Sequence, residues 1–177
     1  MKPLHALPLI VLALIAAIFA FGLRNDPRAL PAMLIDEPLP PFSLAPLEET
    51  GASFSNEMLS GAPALINVFG SWCAGCIVEH PVLMAIAAEN KVALYGVAWN
   101  DTRENAAAFL AARGDPFRAI GMDPDSRFAI AMGVSGAPET FLVDARGRIR
   151  YKHVGPITEE IWRDTLEPML AGLEAAP

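Results

Sequence analysis

The stretch GSWCAGCIVEHP, residues 70 to 81, holds both cysteines of the chain, Cys73 and Cys76, with two residues between them. A pair so spaced can be a redox centre, half of a metal site, a haem anchor or a structural staple. A haem anchor needs a histidine directly after the second cysteine; Ile77 stands there, and the nearest histidine is His80. A structural zinc site wants four ligands, usually from two paired knuckles, and beyond the pair the chain offers only His5, His80 and His153. No metal and no cofactor is expected. As a staple, a bridge between such close neighbours closes a very small loop and removes little entropy from the unfolded chain.

The redox reading is the one that the position favours. Cys73 falls where a strand should end and a helix begin, so its sulfur faces unpaired amide hydrogens and the positive end of the helix dipole. Such settings lower a thiol's pKa below its free value of roughly 8.5. Cys76 lies one turn further on, placed to attack a mixed disulfide at Cys73. Around the pair, Trp72 is a candidate for the surface of the site or for core packing. Glu79 shares a helix face with Cys76 and is either a proton relay or an ordinary helix glutamate. Asn67, six residues before Cys73, should point under the helix; it can hydrogen bond but not titrate. In GAPETF, residues 136 to 141, Pro138 directly precedes a strand, where a cis bond would expose the backbone of Ala137 to an extended peptide.

The elements that must position these residues follow from local pattern. ALINVFGS, residues 64 to 71, reads as a buried strand after the turn signals Gly61 and Pro63. A helix should run from Cys73 to about Ala88, kinked at Pro81. VALYGVAW, residues 92 to 99, is a second strand. Asp101 and Glu104 make a capping-box pattern for a helix ending at Arg113 before Gly114. A short helix fits Ser126 to Met132, a hairpin turning at Ala145 to Gly147 follows, and Thr158 opens a last amphipathic helix to about Leu173. This order predicts an α/β fold with a central mixed sheet flanked by helices.

Ala6 to Leu23 carries no charged side chain, and at about 1.5 Å per residue it would extend roughly 27 Å, enough to cross a bilayer's hydrocarbon core. An uncleaved N-terminal transmembrane helix is expected over residues 1–24, with a cleaved signal peptide as the alternative. A proline-rich, extended tether follows over 25–41, and the folded domain over 42–177. The formal net charge of -7, without a basic run, argues against nucleic acid as a partner.

Taken together, WCAGC after a buried strand, Pro81, and Pro138 before a strand resemble the thioredoxin fold. WCAGCIVEHP, GVAWND, GVSGAPETFLVD and LPPFSL are more closely similar to the membrane-anchored DsbE/CcmG thioredoxins of cytochrome c maturation. The resemblance covers essentially the whole chain. It implies an inner-membrane anchor, a periplasmic domain, and a thiol:disulfide oxidoreductase that reduces the haem-attachment cysteines of apocytochrome c or their thiol carrier. A membrane thiol reductant would supply the electrons. It further implies that Cys73 is the nucleophile, that Cys76 resolves, that Pro138 is the cis-proline, and that Glu79 and Glu139 are the acidic residues near the site. Trp72, Ala137 and Glu139 are the residues expected to meet the client. A general periplasmic oxidase or reductase, and a noncatalytic peptide-binding module, are the rival readings. The chain departs from the pattern twice: Asn67 stands where thioredoxins generally carry a buried aspartate, and Ala74 and Gly75 fill the gap between the cysteines where the family often has proline after the first.

Overall fold

The computed structural model describes residues 11–12, 14–15 and 34–174. The expected membrane helix and the first part of the tether lie outside the described residues, apart from Val11, Leu12, Leu14 and Ile15, which are helical and exposed. Among the described residues, no helix is long and apolar enough to cross a membrane. The chain divides into two compact units, Met1–Pro31 and Ala32–Pro177.

The second unit is built on a seven-stranded sheet in the order β2-β1-β5-β4-β3-β6-β7. Its strands are β1 (Ser43–Pro46), β2 (Phe54–Ser55), β3 (Ala64–Phe69), β4 (Ala93–Trp99), β5 (Ala119–Asp123), β6 (Glu139–Val143) and β7 (Ile149–Val154). β3, β4 and β5 run parallel, and β1, β6 and β7 pair antiparallel. The helices are α1 (Ala74–Glu89), α2 (Arg103–Arg113), α3 (Arg127–Ala131), and a C-terminal run of α4 (Glu159–Ile161), a π turn (Trp162–Leu166) and α5 (Glu167–Glu174).

Alternation along β3 decides what lies under α1. Ile66 and Val68 join a core with Phe54, Phe128 and Phe141. Leu65 packs with Leu83, Ile86 and Leu166, and Phe69 with the cysteines and Phe109. A period of two therefore turns Asn67 to the same face as Leu65 and Phe69, beneath α1. β3 itself is wholly buried, which suits a central strand of a sheet covered on both sides.

Several elements differ from their expectation. β1, β2 and β5 carry no periodic signal and are held by pairing, as in Ala45 opposite Met122. α1 matches the helix expected from Cys73 to about Ala88, running through Pro81 as one element of sixteen residues. α2 is capped by the Thr102 hydroxyl, which accepts from Asn105 N, and not by Asp101, whose carboxylate is taken by the turn before Cys73. Thr158 caps the C-terminal run as expected, accepting from Ile161 N at 3.2 Å. The π turn stands just before Pro168, whose ring would crowd the carbonyl one turn back in a regular helix. Residues 36 to 39 fall in the stretch expected as tether, yet they bond to the domain: Leu39 N donates to Gly147 O at 2.8 Å, and the Leu39 side chain is buried.

Candidate active site

Cys73 and Cys76 are joined by a disulfide, with Cα atoms 5.3 Å apart. Cys73 is the N-cap of α1, and its Sγ accepts a hydrogen bond from Cys76 N at 3.0 Å. The sulfur thus takes one of the amide hydrogens that the first turn of a helix leaves unpaired. In this oxidised state both residues are buried, 3% and 2% exposed.

The turn that delivers Cys73 is tied down from β4's end. Asp101 accepts from Ser71 N at 2.6 Å and from Ser71 Oγ at 3.0 Å. Trp72 is 53% exposed. Its indole Nε1 donates to the Asn100 carbonyl at 3.1 Å, and its ring meets Trp99 edge-on. Ile77 and Val78 are the other large exposed apolar side chains on this end of α1.

The Ala137–Pro138 bond is cis. Pro138 sits against the first turn of α1 so closely that a Cβ on Gly75 would come within 2.8 Å of Pro138 Cδ and 3.3 Å of Pro156 Cγ. The gap between the cysteines is therefore a close-packed contact between α1 and the loop before β6. Ala137 is half-buried and packs on the cluster that contains both cysteines.

Glu79 stands on α1 itself, on its buried face, and is 1% exposed. Its Oε1 accepts from Asn67 Nδ2 at 2.8 Å and its Oε2 from Ile157 N at 2.9 Å. Burial pushes its carboxyl up from 4.5 to about 7, and the hydrogen bonds from Ile157 and Asn67 only partly offset this. Asn67 Nδ2 also donates to Thr140 Oγ1 at 3.0 Å, which links β3, β6 and α1 through one amide.

Glu139, expected among the residues that meet the client, has no exposed surface. Its carboxylate instead accepts from Ser135 N and Oγ and pairs with Lys152 Nζ at 2.9 Å. A buried charge needs such partners, and here they brace the loop that leads to Pro138. His80 is buried as well, with Nε2 3.0 Å from the Gly114 carbonyl. The structure thus gathers Cys73, Cys76, Glu79, Trp72, Ala137 and Pro138 around one helix end. It adds Asp101, Gly75, Thr140, Pro156 and Ile157, which sequence reasoning missed as site residues. Of these, Asp101 carries a signal in the chain, as an acid just past the end of a buried strand in GVAWND, and Gly75 stands between the cysteines; Thr140, Pro156 and Ile157 depend on contacts between distant segments.

The Redoxin family model matches residues 35–170. A DsbE thiol:disulfide interchange protein of Allochromatium vinosum is 44% identical over 165 residues, covering 93% of this chain and 91% of its own length. The thiol:disulfide interchange protein HelX of Rhodobacter capsulatus is 38% identical over 172 residues, covering 97% of both. A secreted thiol-disulfide isomerase from Corynebacterium glutamicum superposes with a TM-score of 0.68 at 22% identity, over 83% of this chain and 96% of its own; this likeness shows the thioredoxin-like fold. With a disulfide at the N-terminus of α1 and relatives of this similarity across nearly its full length, the chain belongs to the Redoxin family, as a thiol:disulfide oxidoreductase akin to DsbE and HelX.

Proposed function

We propose that the protein is a reductant in cytochrome c maturation, held in the inner membrane by residues 1–24 with its thioredoxin-like domain in the periplasm. Its clients are disulfides formed by the haem-attachment cysteines of apocytochrome c, or by a thiol carrier for them. A membrane thiol reductant returns the Cys73–Cys76 pair to the dithiol. The observation that carries this reading is a disulfide at a helix N-terminus above a buried carboxyl that titrates near neutrality. Likeness to DsbE and HelX over most of the chain supports the choice of client.

The exchange runs in two steps. The Cys73 thiolate, favoured by the Cys76 amide hydrogen, attacks one sulfur of the client disulfide. A Cys73–client bond forms, the client's S–S bond breaks, and one client thiolate leaves. Cys76 then passes its thiol proton to the Glu79 carboxylate and attacks Cys73 Sγ. The mixed disulfide breaks and the second client thiolate leaves. The client has gained two electrons, and Cys73–Cys76 has lost them. A carboxyl near 7 suits this task, since at neutral pH it is a substantial fraction ionised yet basic enough to take the proton. Exposed Trp72, Ile77 and Val78, with half-buried Ala137, form the surface on which the client lies, and buried Pro138 holds Ala137 in place.

A peptide carrying the Cys-x-x-Cys-His haem-attachment pattern as a disulfide tests the assignment. Cys76→Ser should accumulate a mixed disulfide with it and Cys73→Ser should not; trapping through Cys76 would reverse the roles. Glu79→Gln should slow release of the mixed disulfide near neutral pH more than it slows the first attack. Equal slowing of both steps would remove Glu79 from the proton path.

A further inference from the structure

Gly70 is a glycine that its own backbone does not require. It is buried between the end of β3 and Cys73, its φ is not positive, and its carbonyl accepts from Cys73 N at 3.1 Å in the turn that starts α1. Glycine here only adds freedom to the unfolded chain, so a side chain would be favoured unless something else occupies its space. A Cβ at this position would come within 2.5 Å of Trp72 Nε1, 2.7 Å of Cε2 and 3.1 Å of Cζ2. The indole two residues on lies where the side chain would have been.

What the ring gains there is a fixed position. Its N–H is shared between the carbonyls of Trp99 at 3.3 Å and Asn100 at 3.1 Å, and the ring meets Trp99 edge-on with centroids 5.8 Å apart. Both carbonyls belong to a turn that is itself pinned. Asn100 is left-handed, with φ 48°, its N–H donates to Asp123 O at 3.1 Å, and the Trp99 indole donates to Ser126 Oγ at 2.8 Å. An aromatic side chain that is largely exposed is thus held on rigid supports. The sheet then decides where it stands. β4, β3 and β6 are neighbours in that order; Asn100 follows β4, Cys73 follows β3 and Pro138 precedes β6. With adjacent strands about 4.8 Å apart, the ring and Pro138 lie on opposite sides of Cys73.

We propose that Gly70 is a positioning residue for client recognition, its missing side chain seating the Trp72 indole as a fixed wall of the client surface across Cys73 from Pro138. This rests on the reading of Trp72 as part of that surface. A wall already in place when the client arrives spares the ordering of that side chain on binding. Tryptophans are prominent among the residues that carry the free energy of an interface. An alanine at 70 would keep the backbone and the turn. The atoms in its way belong to a partly exposed ring and not to the main chain, so the ring is what moves, and it leaves its carbonyl acceptors. The Cys76 amide that favours the Cys73 thiolate takes no part in this contact.

The experiment uses the full chain in detergent, reduced and then mixed with the disulfide form of a Cys-x-x-Cys-His peptide or with a small disulfide that needs no docking. In Gly70→Ala the rate with the peptide should fall several-fold, while the rate with the small disulfide stays near that of the wild type. By NMR, hydrogen exchange at the Trp72 indole should quicken several-fold, since its N–H has lost its acceptors. In a Trp72→Ala background the same glycine substitution should change neither rate, because Gly70 acts only through the ring. Trp72→Phe, which leaves position 70 alone, removes the N–H and should slow the peptide selectively as well. The proposal is overturned by a Gly70→Ala protein that slows with both disulfides alike, slows with the peptide equally with and without Trp72, or keeps the wild-type peptide rate. An indole that exchanges no faster, or a Trp72→Phe protein as fast as the wild type, overturns it too. Failure of the client-surface reading looks different: the Trp72→Ala protein then reduces the peptide at the wild-type rate.

Discussion

At position 79, burial and hydrogen bonding pull one carboxyl in opposite directions, and burial wins. The displacement from 4.5 to about 7 means that the folded protein binds this proton more tightly than the unfolded chain, by about 3 kcal/mol. Between the unfolded and folded values the native state holds more protons, so stability falls as pH rises from about 4.5 to about 7 and is level above that. Urea unfolding of the oxidised protein across this window should show the decline, and Glu79→Gln should flatten it. A Gln variant that declines as steeply as the wild type would place the titrating group elsewhere. Gly75 is decided by a second contest. In a helix, alanine is favoured over glycine by about 1 kcal/mol. A Cβ here would meet Pro138 Cδ at 2.8 Å, in a contact with little room to yield. Overpacking of this kind costs typically about 1–3 kcal/mol, so Gly75→Ala should destabilise on balance, with a lowered urea midpoint as the check.

Among the elements, the turn between β3 and α1 depends on a carboxylate supplied from beyond β4. Asp101 bonds Ser71 N and Oγ and also accepts from Thr102 N at 2.8 Å, so one side chain joins the approach to Cys73 to the start of α2. Asp101→Ala leaves a half-buried amide without its charged acceptor and should cost about 1.5–3 kcal/mol. Amide hydrogen exchange should show the loss first at Ser71, with α2 retaining its Thr102 cap. Exchange that rises along α2 instead would mean that Asp101 acts mainly on that helix. The same residue shows how far local pattern reaches. Asp101 and Glu104 have the spacing of a capping box, but Thr102 takes the cap, because Asp101 is drawn to a turn thirty residues earlier in the chain. Cys73 and Thr158, in contrast, cap as their neighbours in sequence imply.

For the molecule as a whole, Ala6 to Leu23 predicts attachment to a membrane. A reporter enzyme active only outside the cytoplasm, fused after Pro177, should work, and the full-length protein should remain with membranes after a salt wash. Release as a shortened soluble protein would show a cleaved signal. The long apolar runs that became β3 and β4, the stop of α2 at Gly114, the Thr158 cap of the C-terminal run, and the cysteine pair at a helix start are local features, legible from neighbouring residues alone. β1, β2 and β5 are two to five residues long, and β1 ends on Pro46; they have no preference of their own strong enough to read and exist because Ala45 finds Met122 and Ser43 finds Ser55. The site divides in the same way. Spacing in the chain is enough to put Glu79 near Cys76 and Asn67 under α1. That Glu79 titrates near neutrality follows from its desolvation in the assembled fold, which outweighs the hydrogen bonds from partners 12 and 78 residues away, Asn67 and Ile157. Backbone spacing sets which residues share a face, but desolvation and hydrogen-bond direction depend on everything packed around a group, and that is assembled only when distant segments meet.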